Sequence, residues 1–109
     1  MSLSERTAGI QSTFTNNGLK VLGAVWASPQ AIDFALRSPR NEDSVVRCTT
    51  SPAPADLREL TTMLAEGDFT RAFIVYTAED QPHLSGEIES YPLSRIDELA
   101  ALLAKESPP

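Results

Sequence analysis

The sequence predicts a single α/β domain in which a mixed sheet is flanked by helices. A chain of 109 residues has room for one hydrophobic core. Some short segments alternate apolar and polar residues, while others repeat apolar residues with the helical period. Proline, glycine and asparagine separate these segments. We therefore expect one domain over residues 1–109, with its core over residues 3–104.

The first helix is predicted over residues 3–16. Ile10 and Phe14 lie four residues apart, which places them on the same helical face. The run Asn-Asn-Gly that ends at Gly18 is typical of the end of a helix.

Three strands are expected to follow, over Leu19–Trp26, Ala31–Arg37 and Ser44–Thr50. The second alternates most regularly, because apolar and other side chains take turns along it. A short polar turn containing Pro39 and Asn41 separates the second strand from the third. These two strands should therefore form an antiparallel hairpin.

The second half of the chain predicts a helix, a buried strand, a weaker strand and a final helix. The first of these helices runs from about Ala55 to Ala65 and carries leucine and methionine at helical spacing. Residues 72–76 are continuously apolar, which is typical of a strand covered on both faces. Residues 87–93 predict a short strand, and Ser94 is expected to cap the last helix.

The net charge of −6 is unevenly distributed. Residues 1–54 carry five Lys/Arg and four Asp/Glu, whereas residues 55–109 carry four and eleven. Affinity for a phosphate backbone comes largely from counterion release at concentrated basic surfaces. The acidic balance therefore argues against strong non-specific nucleic-acid binding, although it leaves room for a local basic strip in the first half.

Compartment is predicted from cysteine content and hydropathy. No apolar run reaches the 18 or so residues that a membrane span needs, and the N-terminal segment lacks the apolar stretch of a secretory signal. The single cysteine, Cys48, cannot form an internal disulfide. A cytoplasmic protein without membrane contact is the expectation.

The predicted order αβββαβ, followed by a weak strand and a helix, resembles the core of restriction-endonuclease-like nucleases of the Mrr type. In that family an aspartate on the second strand is followed about 14 residues later by Gln-x-Lys or Glu-x-Lys on the third. Asp33 in Ala-Ile-Asp-Phe-Ala resembles that aspartate. Arg47 stands at the Gln/Glu position and Thr49 at the Lys position. The similarity covers about residues 9–104.

This sequence departs from the family pattern at two of the three positions. The family's chemistry needs acidic or carbonyl oxygens around Mg²⁺ and a lysine near the attacking water. Arg47 is a permanent cation where a metal ligand is expected, and Thr49 cannot act as the lysine. The resemblance therefore implies a degenerate nuclease without catalysis, in which Asp33, Arg47 and Thr49 are vestigial positions and no metal or cofactor is assigned.

Three interpretations of Arg47 are open at this point. It forms a cross-strand ion pair with Asp33, which is worth about 0–1 kcal/mol if exposed. Alternatively, Arg47 with Arg37 beside it binds an anion or a phosphate group. In the third interpretation, a residue from elsewhere completes a Mg²⁺ site with Asp33.

The remaining chemically competent residues are interpreted as structural. His83, the only histidine, is more typical of a loop residue than of a general base. Cys48 on a central strand is more typical of a small buried apolar residue than of a reactive thiol. Four carboxylates are expected to form a solvated acidic rim: Glu79, Asp80, Glu87 and Glu89.

Three functional hypotheses follow from the sequence. The favoured one is a non-catalytic nuclease-like module that binds a protein or a nucleic acid; a defence, conjugation or DNA-processing system is the expected setting. The second is a metal-dependent DNA nuclease with a rearranged site, which would use Mg²⁺. The third is a small acidic regulator or inhibitor that docks on a basic protein surface. A homodimer is compatible with each of them.

Overall fold

A computed structural model describes residues 3–77 and 88–105 of the chain. These residues form three layers, with a five-stranded sheet between helices. In chain order the elements are α1 (Leu3–Asn16), β1 (Lys20–Ser28), β2 (Ala31–Arg37), β3 (Asp43–Thr49), α2 (Pro54–Ala65), β4 (Arg71–Tyr76), β5 (Glu89–Pro92) and α3 (Ile96–Lys105), with a 3₁₀ turn at Leu93–Arg95 before α3. The predicted single α/β domain is confirmed.

The strands lie in the order in which they occur along the chain, from β1 to β5. The pairs β1–β2 and β2–β3 are antiparallel, whereas β3–β4 and β4–β5 are parallel. The sheet is therefore mixed, as predicted, and β3 is its central strand. The register of the predicted hairpin pairs Asp33 with Arg47, Ala35 with Val45, and Arg37 with Asp43.

Local sequence explains where several elements end. Gly18 adopts a positive φ of 90°, and the Leu19 amide donates to the Phe14 carbonyl at 3.1 Å, which closes the C-terminus of α1. Asn41, which the sequence predicts to lie in the turn between β2 and β3, has a positive φ of 64° there.

The largest core lies between the sheet and the helices α1 and α3. We call this side of the sheet the α1–α3 face. Phe14 of α1 packs edge-on against Phe34 of β2, with ring centroids 5.6 Å apart. The buried residues of this core are Leu3, Ile10, Phe14, Leu19, Ile32, Phe34, Leu36, Val46, Cys48, Phe73, Val75, Ile96, Leu99, Ala100 and Leu103. Together they draw on both helices and on β2, β3 and β4.

The opposite side, which we call the α2 face, has a smaller core. Leu60 of α2 is completely buried there against Val45, Ala72, Ile74 and Ile88. These residues belong to β3, β4 and the segment before β5, so α2 covers one half of the face. The other half, formed by β1 and β2, has no helix from the described part of the chain.

Several boundaries differ from the sequence prediction by one or two residues, as at the end of β1, which extends to Ser28 rather than Trp26. The weak strand is shorter than predicted and covers only Glu89–Pro92. Ser94 lies within the 3₁₀ turn rather than at the N-cap of α3, which begins at Ile96. A tight turn satisfies the first backbone groups of the helix by i to i+3 bonds instead of by a side chain.

The attachment of α2 to the sheet can be tested by truncating Leu60. We expect Leu60→Ala to lower the free energy of unfolding by about 2–5 kcal/mol, because it leaves a cavity in the smaller core. Urea denaturation followed by circular dichroism measures the loss. Thr61→Ala, at the next and exposed position of α2, should stay within about 0.5 kcal/mol of the unaltered chain. Equal effects of the two substitutions would contradict the described packing of α2.

Candidate functional site

Arg47 occupies the centre of the α2 face. It lies in the middle of β3, and its side chain is only 2% exposed. An isolated buried charge is very costly, so a buried arginine requires partners for its donors. The structure supplies these partners from two different elements.

The first partner is Asp33 on the neighbouring strand. The Nε of Arg47 donates to Oδ1 of Asp33 at 2.6 Å, and Nη2 donates to Oδ2 at 2.9 Å. This bidentate arrangement is the geometry that a planar guanidinium and a carboxylate form best. The cross-strand pair expected from the sequence is therefore present, and it is buried rather than exposed.

The second set of partners comes from the first two turns of α2. The Nη1 of Arg47 donates to Asp56 Oδ1 at 2.9 Å and to Glu59 Oε1 at 3.0 Å. Asp56 and Glu59 are three residues apart, which places them on the same side of the helix. The other oxygen of Asp56 accepts the Ala53 backbone N–H at 2.8 Å, so this carboxylate also caps α2.

These four residues, Asp33, Arg47, Asp56 and Glu59, form what we call the Arg47 cluster. The hydrogen bonds of this cluster, above all those to Asp33, raise the pKa of Arg47, although burial acts in the opposite direction. Three carboxylates against one guanidinium give the cluster a formal charge of −2. Glu59 is the most accessible member, with 51% of its side chain exposed.

The structure does not bring Arg37 into this cluster. Arg37 binds Asp43 through two hydrogen bonds, of 2.9 and 3.2 Å, and holds the pKa of that carboxyl below its usual value. The two arginines lie four register rows apart on one face, about 13 Å along the strand direction. Their donors therefore point to separate carboxylates, which favours the ion-pair interpretation of Arg47 over a joint anion site.

Thr49 and Cys48 are both buried in β3. Thr49 is two residues beyond Arg47, and its carbonyl accepts the Thr77 amide at 3.2 Å. Cys48 faces the α1–α3 core, and burial raises the pKa of its thiol to about 12. A protonated, inaccessible thiol is not a nucleophile, in agreement with the prediction of a small buried apolar residue.

The remaining predicted candidates lie largely outside the described residues. This holds for His83 and for Glu79, Asp80 and Glu87 of the expected acidic rim. Glu89 is described, and it is exposed on β5, where its carboxylate accepts the Tyr91 hydroxyl at 3.3 Å.

A groove of about 320 Å³ lies beside the Arg47 cluster, over the half of the α2 face that lacks a helix. We call it the β1–β2 groove. Its lining is apolar except for one acidic side chain and consists of Leu22, Gly23, Val25, Asp33, Ala35, Val45, Met63 and Phe69. Val25 is 68% exposed, which is unusual for a branched apolar residue of a strand. Asp33 belongs both to the Arg47 cluster and to the lining of the β1–β2 groove.

The remaining features that bear on function lie in residues 3–77 and 88–105. Within these ranges no group of three or more His, Cys, Asp or Glu side chains is arranged to hold a metal ion. A smaller hollow of about 160 Å³ lies near the end of α2, where Arg71 stacks over the Phe73 ring at 4.9 Å. No helix of the described chain has the length and apolar character that crossing a membrane requires.

Sequence reasoning identified Asp33 and Arg47 but missed Asp56 and Glu59. The signal was available, because an Asp-x-x-Glu pair in the first turns of a helix that follows β3 can reach back to that strand.

No protein-family model, curated protein or solved structure matches this chain.

Removing the guanidinium tests the Arg47 cluster. We expect Arg47→Met to lower the free energy of unfolding by about 3–5 kcal/mol, because it leaves the Asp33 and Asp56 carboxylates shielded from water without a cation. The double variant Arg47→Met, Asp33→Leu should recover much of this loss, since it replaces the pair by apolar side chains. Urea denaturation at neutral pH measures both.

The control for this prediction is Arg95→Met. Arg95 pairs with Glu98 on the exposed surface, where solvent screens the charges, so this substitution should change the stability little. If Arg47→Met were as well tolerated as Arg95→Met, the cluster would not hold α2 to the sheet.

Proposed function

We propose that this chain is a catalytically inactive, restriction-endonuclease-like module that acts by binding a protein partner. The first half of the proposal, that the module is catalytically inactive, is carried by the contacts around Arg47. The second half, that it binds a protein partner, depends on the apolar β1–β2 groove.

The element order and the three layers support the restriction-endonuclease-like architecture. The chain follows the order αβββαβ through β4, with a mixed sheet between helices, as the resemblance implies. The aspartate of the family pattern falls on β2, opposite the substituted position on β3. If the family's catalytic centre has a counterpart here, it is the Arg47 cluster.

The geometry of this cluster argues against metal-assisted hydrolysis there. A hard cation would have to compete for Asp33 with a guanidinium that is already within 2.6 Å and is always charged. Thr49, at the lysine position of the pattern, is buried and carries no amine. The residues present thus favour a structural role for a site that resembles a nuclease centre.

Protein is a better-suited partner than nucleic acid for the described surface. On this surface Arg37 and Arg95 already bind carboxylates, so neutralising a phosphate would cost these contacts, and Arg47 is buried. The β1–β2 groove is instead lined by apolar side chains except for Asp33. Exposed apolar patches of this kind are typical of protein interaction sites.

The catalytic half of the proposal is tested by a cleavage assay. We expect no Mg²⁺- or Mn²⁺-dependent cleavage of plasmid DNA, single-stranded DNA or RNA above the background of Asp33→Ala. Calorimetric titration with Mn²⁺ should show no binding that depends on Asp33. Cleavage by the unaltered chain that falls about 100-fold or more in Asp33→Ala, while circular dichroism shows that variant to be folded, would establish the nuclease alternative instead.

The binding half is tested by affinity capture from the native host, with and without added nuclease. The captured protein should survive nuclease treatment and be lost with Val25→Lys, because this substitution places a charge in the groove wall. Gln11→Lys adds the same charge on the exposed side of α1 and should capture normally. A partner that both variants retain would move the interaction away from the groove, and one that nuclease removes would indicate nucleic acid.

A further inference from the structure

The two faces of the sheet are covered unequally. On the α1–α3 face, α1 lies against the β1 side and α3 against the β5 side. On the α2 face, α2 covers β3 and β4, while no helix of residues 3–77 and 88–105 covers β1 and β2. Helices pack about 8–10 Å apart, which is close to the width of two strands. The uncovered half is thus about one helix wide.

The length of the uncovered strip also suits a helix. The seven residues of β2 extend for about 23 Å, which equals the length of a helix of about 15 residues. The strip is bordered by Val25 on the side of β1 and by Met63 on the side of α2. A helix laid between them would complete the third layer beside α2.

The charge at one end of the groove specifies the chemistry of such a helix. Asp33 lines the groove, and the accessible Glu59 lies in the same cluster, whose formal charge is −2. Four rows away along β2, the Arg37–Asp43 pair is neutral. At that same end Lys20 of β1 lies opposite Arg37 and adds one positive charge. The groove therefore has an apolar floor, and the charge around it is negative on balance and concentrated at the Asp33 end.

From these features we infer that the β1–β2 groove binds a basic amphipathic helix of a partner protein. The apolar face of that helix lies on Ala35, Val45 and Met63, and its Lys or Arg side chains lie against Asp33 and Glu59. This is the helix-in-groove mode of recognition, with charge complementarity at one end. The inference rests on the proposed binding function and names the class of partner for that site.

The test uses the full chain and three synthetic peptides of about 15 residues, the length that spans the strip. The first places leucines at helical spacing with lysines on the flanks of the leucine face. The second has the same composition with leucine and lysine alternating, as in a strand. The third keeps the leucines of the first and replaces each lysine by glutamate. Titrations followed by ¹H–¹⁵N NMR give the affinity and the residues whose signals shift.

We expect the first peptide to bind about tenfold or more tightly than either of the others. The shifts should centre on Ala35, Val45, Met63 and Phe69. Raising the salt concentration from about 0.05 to about 0.5 M should weaken its binding, because the contacts to the exposed carboxylate are screened. Glu59→Gln should reduce the preference for lysine over glutamate, and its accessible side chain makes this substitution compatible with folding.

Val25→Lys should weaken binding of the first peptide by about tenfold, and Gln11→Lys should leave it unchanged. Tighter binding of the strand-ordered peptide would assign the site to an added strand on β1 and overturn the inference. So would equal binding of the glutamate peptide, or shifts outside the groove. Sedimentation of the chain alone gives a further outcome, because a dimer that Val25→Lys dissociates would make a second copy the occupant.

These outcomes are distinct from failure of the proposed function. Metal-dependent cleavage would overturn the function without touching the peptide result. A partner captured through Val25 with no preference for the helical lysine peptide would keep the function and reject the inference.

Discussion

The position of α2 depends on one buried guanidinium. Arg47 reaches Asp33 on one side and Asp56 with Glu59 on the other, so a single side chain ties β2 and β3 to the start of α2. Removing water from Arg47 carries a cost that only good geometry can offset. The cluster attaches α2 to the sheet. Because the donors of a guanidinium have fixed directions, it also constrains the position of α2 over the sheet.

The location of α2 in turn determines what remains open on its face. The helix is held by Arg47 at its beginning and by Leu60 against the smaller core, and both contacts place it over β3 and β4. Among residues 3–77 and 88–105, β1 and β2 consequently have a helix on only one of their faces. The exposure of Val25 and the existence of the groove are both consequences of this offset.

The sequence was a good guide wherever the relevant signal was local. Alternation along β2 and the polar turn after it determine the hairpin register, and that register was enough to place Asp33 opposite Arg47. The stop at Gly18 was equally local. Burial of the ion pair was not predictable in the same way, because it depends on which helix packs over β3.

The groove shows this limit most clearly. The residues of β1 are mostly apolar or small, which predicts a strand, yet the strand lies at the edge of the sheet and nearly all of it is exposed. Composition cannot distinguish an edge strand from a central one, since the difference lies in the neighbours that the fold provides. Likewise, Asp56 and Glu59 look like ordinary helix-start carboxylates until the third layer places them beside Arg47.

On the proposed function, the exchange of a metal ligand for an arginine has two physical consequences. A metal ion polarises phosphoryl oxygens and lowers the pKa of a bound water, and hydrolysis uses both effects. A guanidinium supplies neither effect and keeps its charge at every physiological pH, so the contact of Arg47 with Asp33 is a permanent structural one. Asp33 then faces Arg47 on one side and the groove on the other. The site thereby changes from one that would transform a ligand to one that holds a helix in place and presents a negative edge to whatever lies beside it.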